Sequence, residues 1–114
     1  MAADTSVVLD RAQLRSVTLD DPDLMREILH TLLDDTARQL AALEAAIRAA
    51  DGPRLGRLAH YSKGACANVG AVGAATLLQN IERKAAARDF AACGASLTVL
   101  AEEIQKLRHE AGSL

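Results

Sequence analysis

The stretch that decides the fold runs from residue 51 to residue 71 and reads DGPRLGRLAHYSKGACANVGA. It opens with Asp51-Gly52-Pro53, which stops one helix and starts the next with a proline in its first turn. Near its end, Val69-Gly70 makes a C-terminal break. On a helical wheel the apolar and small residues gather in one arc, made by Leu55, Leu58, Ala59, Ser62, Ala65, Cys66 and Val69. The pattern predicts a helix over residues 53–68 that buries one face.

Similar signals divide the rest of the chain into helices. Asp21-Pro22-Asp23 combines a capping acid, a first-turn proline and a first-turn acid, and apolar residues then recur at spacings of three or four as far as Ile47. Asp89 can cap the last helix, and a short leading helix is expected around Leu14. The bundle helices are predicted at about residues 22–50, 53–68, 72–88 and 90–110. Short turns join them, so we predict an all-α fold in one domain spanning residues 1–114: an antiparallel up-and-down four-helix bundle with a short extra N-terminal helix.

Composition favours helices and argues against several other classes of protein. Half of the residues are apolar, but the chain has one Phe, one Tyr and no Trp, so Ala and Leu supply most of the apolar content. The net charge of −2 argues against nucleic-acid binding, which normally requires a basic face. No apolar run approaches the roughly 20 residues of a membrane span, and the N-terminus lacks the features of a secretory signal. Cys66 and Cys93 are predicted to be buried thiols in a reducing cytoplasm, which is the expected location.

His60 differs from the scaffold residues around it. On the wheel it lies roughly opposite the buried arc, so its ring is expected in solvent. Gly56 and Gly64 lie one turn to either side, and a glycine inside a helix costs about 0.5–1 kcal/mol relative to alanine. We interpret these glycines, with Ala67 beyond them, as a flat patch that lets the backbone of another protein approach the imidazole.

The residue types on this face suit phosphoryl transfer. An uncharged imidazole is a nucleophile that can attack phosphorus and form a covalent phosphohistidine. Lys63 lies one turn further along the same face and offers a cation for the negative charge of the phosphoryl group. Considered alone, Lys63 would be interpreted as an ordinary surface lysine.

Residues 59–71 resemble the signature of histidine-containing phosphotransfer (HPt) domains. In that family the histidine is followed at three and four residues by Lys-Gly, then by small residues and an aliphatic-Gly-Ala ending, as in His60, Lys63-Gly64 and Val69-Gly70-Ala71 here. The following helix of the family is resembled by Leu77, Leu78, Ile81 and Glu82. Tyr61-Ser62 departs from the pattern, because the family commonly has a small polar residue followed by a large aliphatic one.

The resemblance implies a phosphorelay intermediate of two-component signalling. A phosphoryl group would be carried on Nε2 of His60 and exchanged with an aspartate of a response-regulator receiver domain, with a hybrid histidine kinase as a further partner. The partner-docking face would comprise Gly56, Arg57, Tyr61, Gly64 and Ala67. The resemblance also implies that Mg²⁺ sits on the receiver, so no metal or other cofactor is expected on this chain. No Gly-rich nucleotide loop is present, so we expect no ATP-dependent kinase activity. Met1 and the full set of helices favour a stand-alone protein, while the oligomeric state stays open.

Parts of the sequence also suggest other functions and sites. A phosphate-independent interaction module could use the same flat face, and the sequence does not separate the two functions. Glu27 and His30 have the Glu-x-x-His spacing of di-iron bundles, but no second copy exists, and we expect no metal there. A small enzyme would need a paired acid and base, which the sequence does not indicate. Glu102 and Glu103 are predicted to be acids on the solvent face of the last helix.

Overall fold

The computed structural model describes residues 7–114, and the prediction that no secretory signal is present falls on the residues before Val7, outside the described part. The helices, in chain order, are α1 (Arg11–Val17), α2 (Pro22–Arg48), α3 (Gly52–Asn68), α4 (Val72–Ala86) and α5 (Phe90–Ala111). Helix α2 packs against α3 and α5, and α4 packs against the same two helices. This closed ring of neighbours is an up-and-down four-helix bundle, so the predicted all-α fold with a short N-terminal helix is confirmed. The ends of the long helices differ from the predicted ones by two residues at most.

Four of the five helices in residues 7–114 are preceded by an N-cap aspartate whose side chain accepts hydrogen bonds from backbone N–H groups of the first turn. These caps are Asp10, Asp21, Asp51 and Asp89. Such caps satisfy N–H groups that have no partner inside the helix, and each stabilises its helix by about 1 kcal/mol. Helix α4 is the exception, because its N-cap residue is Ala71, whose side chain cannot accept a hydrogen bond.

The core is built mainly from leucine and isoleucine on the inward faces of the helices. The largest fully buried apolar side chains are Leu14, Leu29, Leu43, Leu55, Leu78, Ile81, Leu100, Ile104 and Leu107. Cys66 and Cys93 are buried free thiols, as predicted. Burial, together with the negative charge of Asp35, raises the pKa of the Cys66 thiol to about 11, so this group is a packing element and is protonated at neutral pH.

Helix α1 is joined to the turn between α3 and α4. The backbone N–H of Asp10 donates to the carbonyl of Gly70 at 2.7 Å. Gly70 has a φ of +93°, in the region that glycine adopts readily and other residues avoid. The turn that sets how α3 and α4 face each other is therefore held by a backbone hydrogen bond to the N-terminal segment.

Glu103 is buried, so its predicted place on the solvent face was wrong. Its side chain is 9% exposed, and its Oε1 lies 4.0 Å from Nζ of Lys106. The carboxylate occupies space beside Gly73, in the first turn of α4, where a side chain would collide with it. A negative charge at a helix N-terminus is favourable, and this is the end of α4 that lacks a cap. The helical pattern of α5 alone could not reveal a gap that is created by a glycine on another helix.

Within residues 7–114, no helix combines the length and the hydropathy that crossing a bilayer would require.

Candidate functional site

Helix α3 presents His60 on its solvent face, where the wheel placed it. The His60 side chain is 69% exposed, while the neighbouring Ala59 and Ser62 are buried on the opposite side of the helix. A Cβ atom built on Gly56 or on Gly64 would meet nothing within 4 Å. The positions four residues before and four residues after His60 on its own helix therefore place no side chain beside the imidazole.

Helix α4 brings a carboxylate to this imidazole. Oε2 of Glu82 lies 3.0 Å from Nδ1 of His60, and Oε1 accepts a hydrogen bond from Nζ of Lys63 at 2.8 Å. Ile81, just before Glu82, and Ala85, one turn after it, are buried, and Glu82 lies at the edge of the α3–α4 interface with 31% of its side chain exposed. One carboxylate therefore joins the histidine to the lysine across two helices.

The charge of Glu82 fixes which nitrogen of His60 is free. The hydrogen bond from Lys63 lowers the pKa of Glu82; the hydrogen bond from His60 acts in the same direction, while partial burial opposes both. An ionised carboxylate can only accept hydrogen bonds, so the proton on the imidazole must be on Nδ1. In the neutral ring Nε2 then carries the free lone pair. Within residues 7–114, Nε2 has no hydrogen-bond partner, and the His60 side chain as a whole is 69% exposed.

Lys63 is held more firmly than the sequence indicated. Its side chain is 27% exposed and forms an ion pair with Glu82, whereas the sequence predicted a cation on the open face. The pairing uses one of the three N–H groups of the ammonium. The remaining donors are still one helical turn from His60.

The other residues of the predicted docking face surround the histidine. Arg57, Tyr61, Gly64 and Ala67 are exposed, and Gly56 is half-buried. The hydroxyl of Tyr61 donates to Oδ2 of Asp35 at 3.4 Å, a contact that links α3 to α2.

The departure from the family pattern at Ser62 has a structural consequence. Ser62 is buried at 3% exposure, and its Oγ has no hydrogen-bond partner within the described residues. A buried hydroxyl without a partner is destabilising. The core beneath His60 is therefore less stable than it would be with an aliphatic residue at position 62.

Glu82 was recognised from the sequence only as part of the family resemblance, and its contact with His60 was not predicted. A signal was present, because His60 precedes Ala71 by eleven residues and Glu82 follows Ala71 by eleven. In an antiparallel helical hairpin with a short turn, residues at equal distances from the turn come to the same level. The pairing could therefore have been inferred from the turn position.

The structure offers no metal-binding cluster in the part of the chain that it describes. No group of three or more His, Cys, Asp or Glu side chains in residues 7–114 could hold an ion. The side chain of His30, the histidine considered for a di-iron site, is 80% exposed, and its Nε2 lies 3.6 Å from Oδ2 of Asp34. Within residues 7–114 it forms no second ion pair.

Comparison with known proteins gives results that agree with this geometry. The family model described as Hpt domain matches residues 27–110. The crystal structure of histidine-containing phosphotransfer protein B (HptB) from Pseudomonas aeruginosa PAO1 superposes with a TM-score of 0.87 at 27% identity, covering 96% of this chain and 95% of that one. A rice protein described as a histidine-containing phosphotransfer protein superposes with a TM-score of 0.84 at 18% identity, covering 93% and 78% of the two chains. A search of curated protein sequences gave no significant match.

Proposed function

Since this chain belongs to the Hpt family, which gives it a phosphotransfer role in two-component signalling, we propose that His60 is its phosphoacceptor. In this proposal His60 exchanges the phosphoryl group with an aspartate of a response-regulator receiver domain. A hybrid histidine kinase is the other partner class that the family membership suggests.

The observation that carries the proposal is the hydrogen bond between Nδ1 of His60 and the carboxylate of Glu82, at 3.0 Å. A nucleophilic histidine needs one nitrogen with a free lone pair, and a carboxylate on the other nitrogen holds the ring in that tautomer and orientation. A residue that only contacts a partner needs neither feature. The geometry therefore supports chemistry at His60 over simple docking.

The transfer step needs no acid or base beyond this pair. The lone pair of Nε2 attacks the phosphorus of an aspartyl phosphate, the bond between phosphorus and the carboxyl oxygen breaks, and the aspartate leaves as a carboxylate. The proton stays on Nδ1, where Glu82 balances the positive charge that develops on the ring as the N–P bond forms. In the reverse step the receiver aspartate attacks the same phosphorus, and Nε2 is the leaving atom.

Lys63 has two tasks in this proposal. Its hydrogen bond at 2.8 Å keeps Glu82 ionised, and its remaining N–H groups offer a cation for the phosphoryl oxygens. In this proposal the receiver supplies both the Mg²⁺ needed for transfer and the carboxylate that accepts the phosphoryl group. We expect no ATP-dependent kinase activity from this chain.

The direct test compares two histidine substitutions of the same kind. His60→Gln and His30→Gln each replace an exposed helical imidazole, whose side chains are 69% and 80% exposed, so both variants should fold. Each is mixed with receiver domains that carry ³²P on their aspartate, and label on the chain is followed with time. We expect His30→Gln to accept label like the unsubstituted chain and His60→Gln to accept none.

If the chain were instead a phosphate-independent interaction module, the same variants should give a different result. A docking module would retain its cellular role when His60 is replaced by Gln, because the flat face would still be present. Acceptance of label by His60→Gln at the rate of the unsubstituted chain would refute the proposed function outright.

A further inference from the structure

Charge is distributed very unevenly along this chain. The whole chain has a net charge of −2, yet residues 52–88, which make α3, α4 and their turns, contain a single acid, Glu82. The same stretch contains six cations, namely Arg54, Arg57, Lys63, Arg83, Lys84 and Arg88. The half of the bundle that presents His60 is therefore basic, and the other half is acidic.

Most of these cations have no carboxylate partner in the described part of the chain. Lys63 is paired with Glu82, whereas no ion pair within residues 7–114 involves the other five. The acids nearest to Arg54 and Arg88 in sequence are Asp51 and Asp89, and both are engaged as helix caps. Positive charge on this half of the bundle is thus available to another molecule.

Three of the arginines lie on the same side of the histidine. Arg54 and Arg57 line a groove between α2 and α3, and Arg88 lines a second groove between α3 and α4 that includes Gly56 and Glu82. Both grooves lie toward the N-terminal end of α3 from His60. We call Arg54, Arg57 and Arg88 the arginine end of the face.

The other side of His60 has a different character. Here a groove between α2 and α3 is lined by apolar side chains together with Glu27, Asp35 and Arg38. Its apolar members are Leu24, Ile28, Leu32, Ala65 and Val69. A partner centred on His60 therefore meets cations on one side and mainly apolar surface on the other. The two ends of the face are thus chemically different.

We propose that the arginine end recognises an acidic edge of the receiver domain and so fixes the orientation in which the receiver docks. This inference rests on the proposed function, because it takes the receiver as the partner. Complementary charge raises the rate of encounter and suppresses wrong orientations. Arginine suits this task, since its planar guanidinium can bind a carboxylate through two parallel hydrogen bonds. An acidic edge is the charge complement of three arginines that form no ion pair within residues 7–114.

The test uses charge reversals at two places on the bundle. Arg57→Glu alters the arginine end, and Arg108→Glu makes the same change of charge at an exposed arginine near the end of α5 that has no ion pair in residues 7–114. The probe is a receiver domain that transfers phosphoryl to the unsubstituted chain. The second-order rate constant for transfer is measured at increasing NaCl, and urea denaturation verifies that each variant is folded.

We expect Arg57→Glu to lower the rate constant by about tenfold at 10 mM salt, where charges act over about 30 Å, and by much less at 1 M, where they act over about 3 Å. Arg108→Glu should stay within about twofold of the unsubstituted chain at every salt concentration. Arg54→Glu should follow Arg57→Glu.

Several results would overturn the inference while leaving the phosphoacceptor in place. One is equal behaviour of Arg57→Glu and Arg108→Glu; another is a loss that persists unchanged at 1 M salt. A third is that Arg57→Glu transfers normally but loses binding to an RNA oligonucleotide or to anionic vesicles, which would assign the basic face to a different class of partner. Failure of the proposed function itself would be recognised separately, because His60→Gln would then still accept label.

Discussion

Replacing Gly56 and Gly64 by alanine should stabilise the free protein. A Cβ at either position meets nothing within 4 Å, so the substitution brings no collision and buries no new apolar surface. What remains is the difference in helix propensity, about 0.8–1.0 kcal/mol per site in favour of alanine. The sites are eight residues apart, about 12 Å along the helix axis, so their effects should add. The double variant should gain about 2 kcal/mol, a rise in Tm of roughly 8 °C for a domain of this size.

A large side chain at the same positions should impair function, although alanine there stabilises the free protein. Gly64→Leu keeps good helix propensity but places a large side chain one turn from His60, so we expect phosphoryl transfer to slow by about tenfold or more through displacement of the receiver. Gly94 supplies the matched control, because it lies in α5 and a Cβ there also meets nothing within 4 Å. Gly94→Leu should leave transfer unchanged.

Urea denaturation and calorimetry measure the stabilities, and label transfer from a phosphorylated receiver measures the function. If Gly64→Ala lowered the free energy of unfolding, the glycine would have a packing role and the open patch would lose its explanation. If Gly64→Leu transferred as fast as Gly94→Leu, docking over this patch would be refuted even though the fold behaved as expected.

Three further predictions concern stability. Gly70→Ala should destabilise the protein by about 1–3 kcal/mol in urea denaturation, because φ is +93° there and a Cβ would lie 2.5 Å from the carbonyl oxygen of Asp10; an unchanged midpoint would contradict the turn geometry. Ser62→Ala should stabilise the protein by about 1 kcal/mol, since it removes a buried hydroxyl without a partner, and a loss of stability would mean that this hydroxyl is satisfied. Because the folded-state pKa of Glu82 is lowered, its stabilising effect should be complete above the usual value of about 4.3 and should disappear as the pH falls through the lowered pKa. Denaturation of Glu82→Gln and the unsubstituted chain at pH 2 to 7 should therefore give curves that converge in acid; a constant difference would rule out titration of this carboxylate as the cause.

The helices could be predicted from sequence because their ends are encoded locally. Asp21-Pro22 and Asp51-Gly52-Pro53 act on the residues next to them, and the structure places Asp21 and Asp51 as caps of α2 and α3. The exposure of His60 could also be predicted from α3 alone, because one buried arc on a helix fixes the direction of every other residue on that helix. These inferences needed no knowledge of how the helices pack.

The contacts of Glu82 and Glu103 could not be predicted in that way, because each depends on a second helix. Glu82 reaches His60 across the α3–α4 interface, and Glu103 on α5 enters a space that Gly73 leaves open on α4. Periodicity within one helix says which face is polar, but it does not say what the polar residue meets. The ion pair of Lys63 was missed for the same reason, since its partner lies on α4.

The free nitrogen of His60 depends on the relative placement of α3 and α4 as much as on the sequence around the histidine. Glu82 reaches Nδ1 only while α3 and α4 keep their relative position along the helix axes. That position is set by the turn at Gly70 and by the buried residues on both sides of the interface. An α3 peptide alone would keep His60, Lys63 and Gly64 but would lose the carboxylate that fixes the tautomer. Loosening the turn should consequently impair transfer even though no residue of the exposed face has changed.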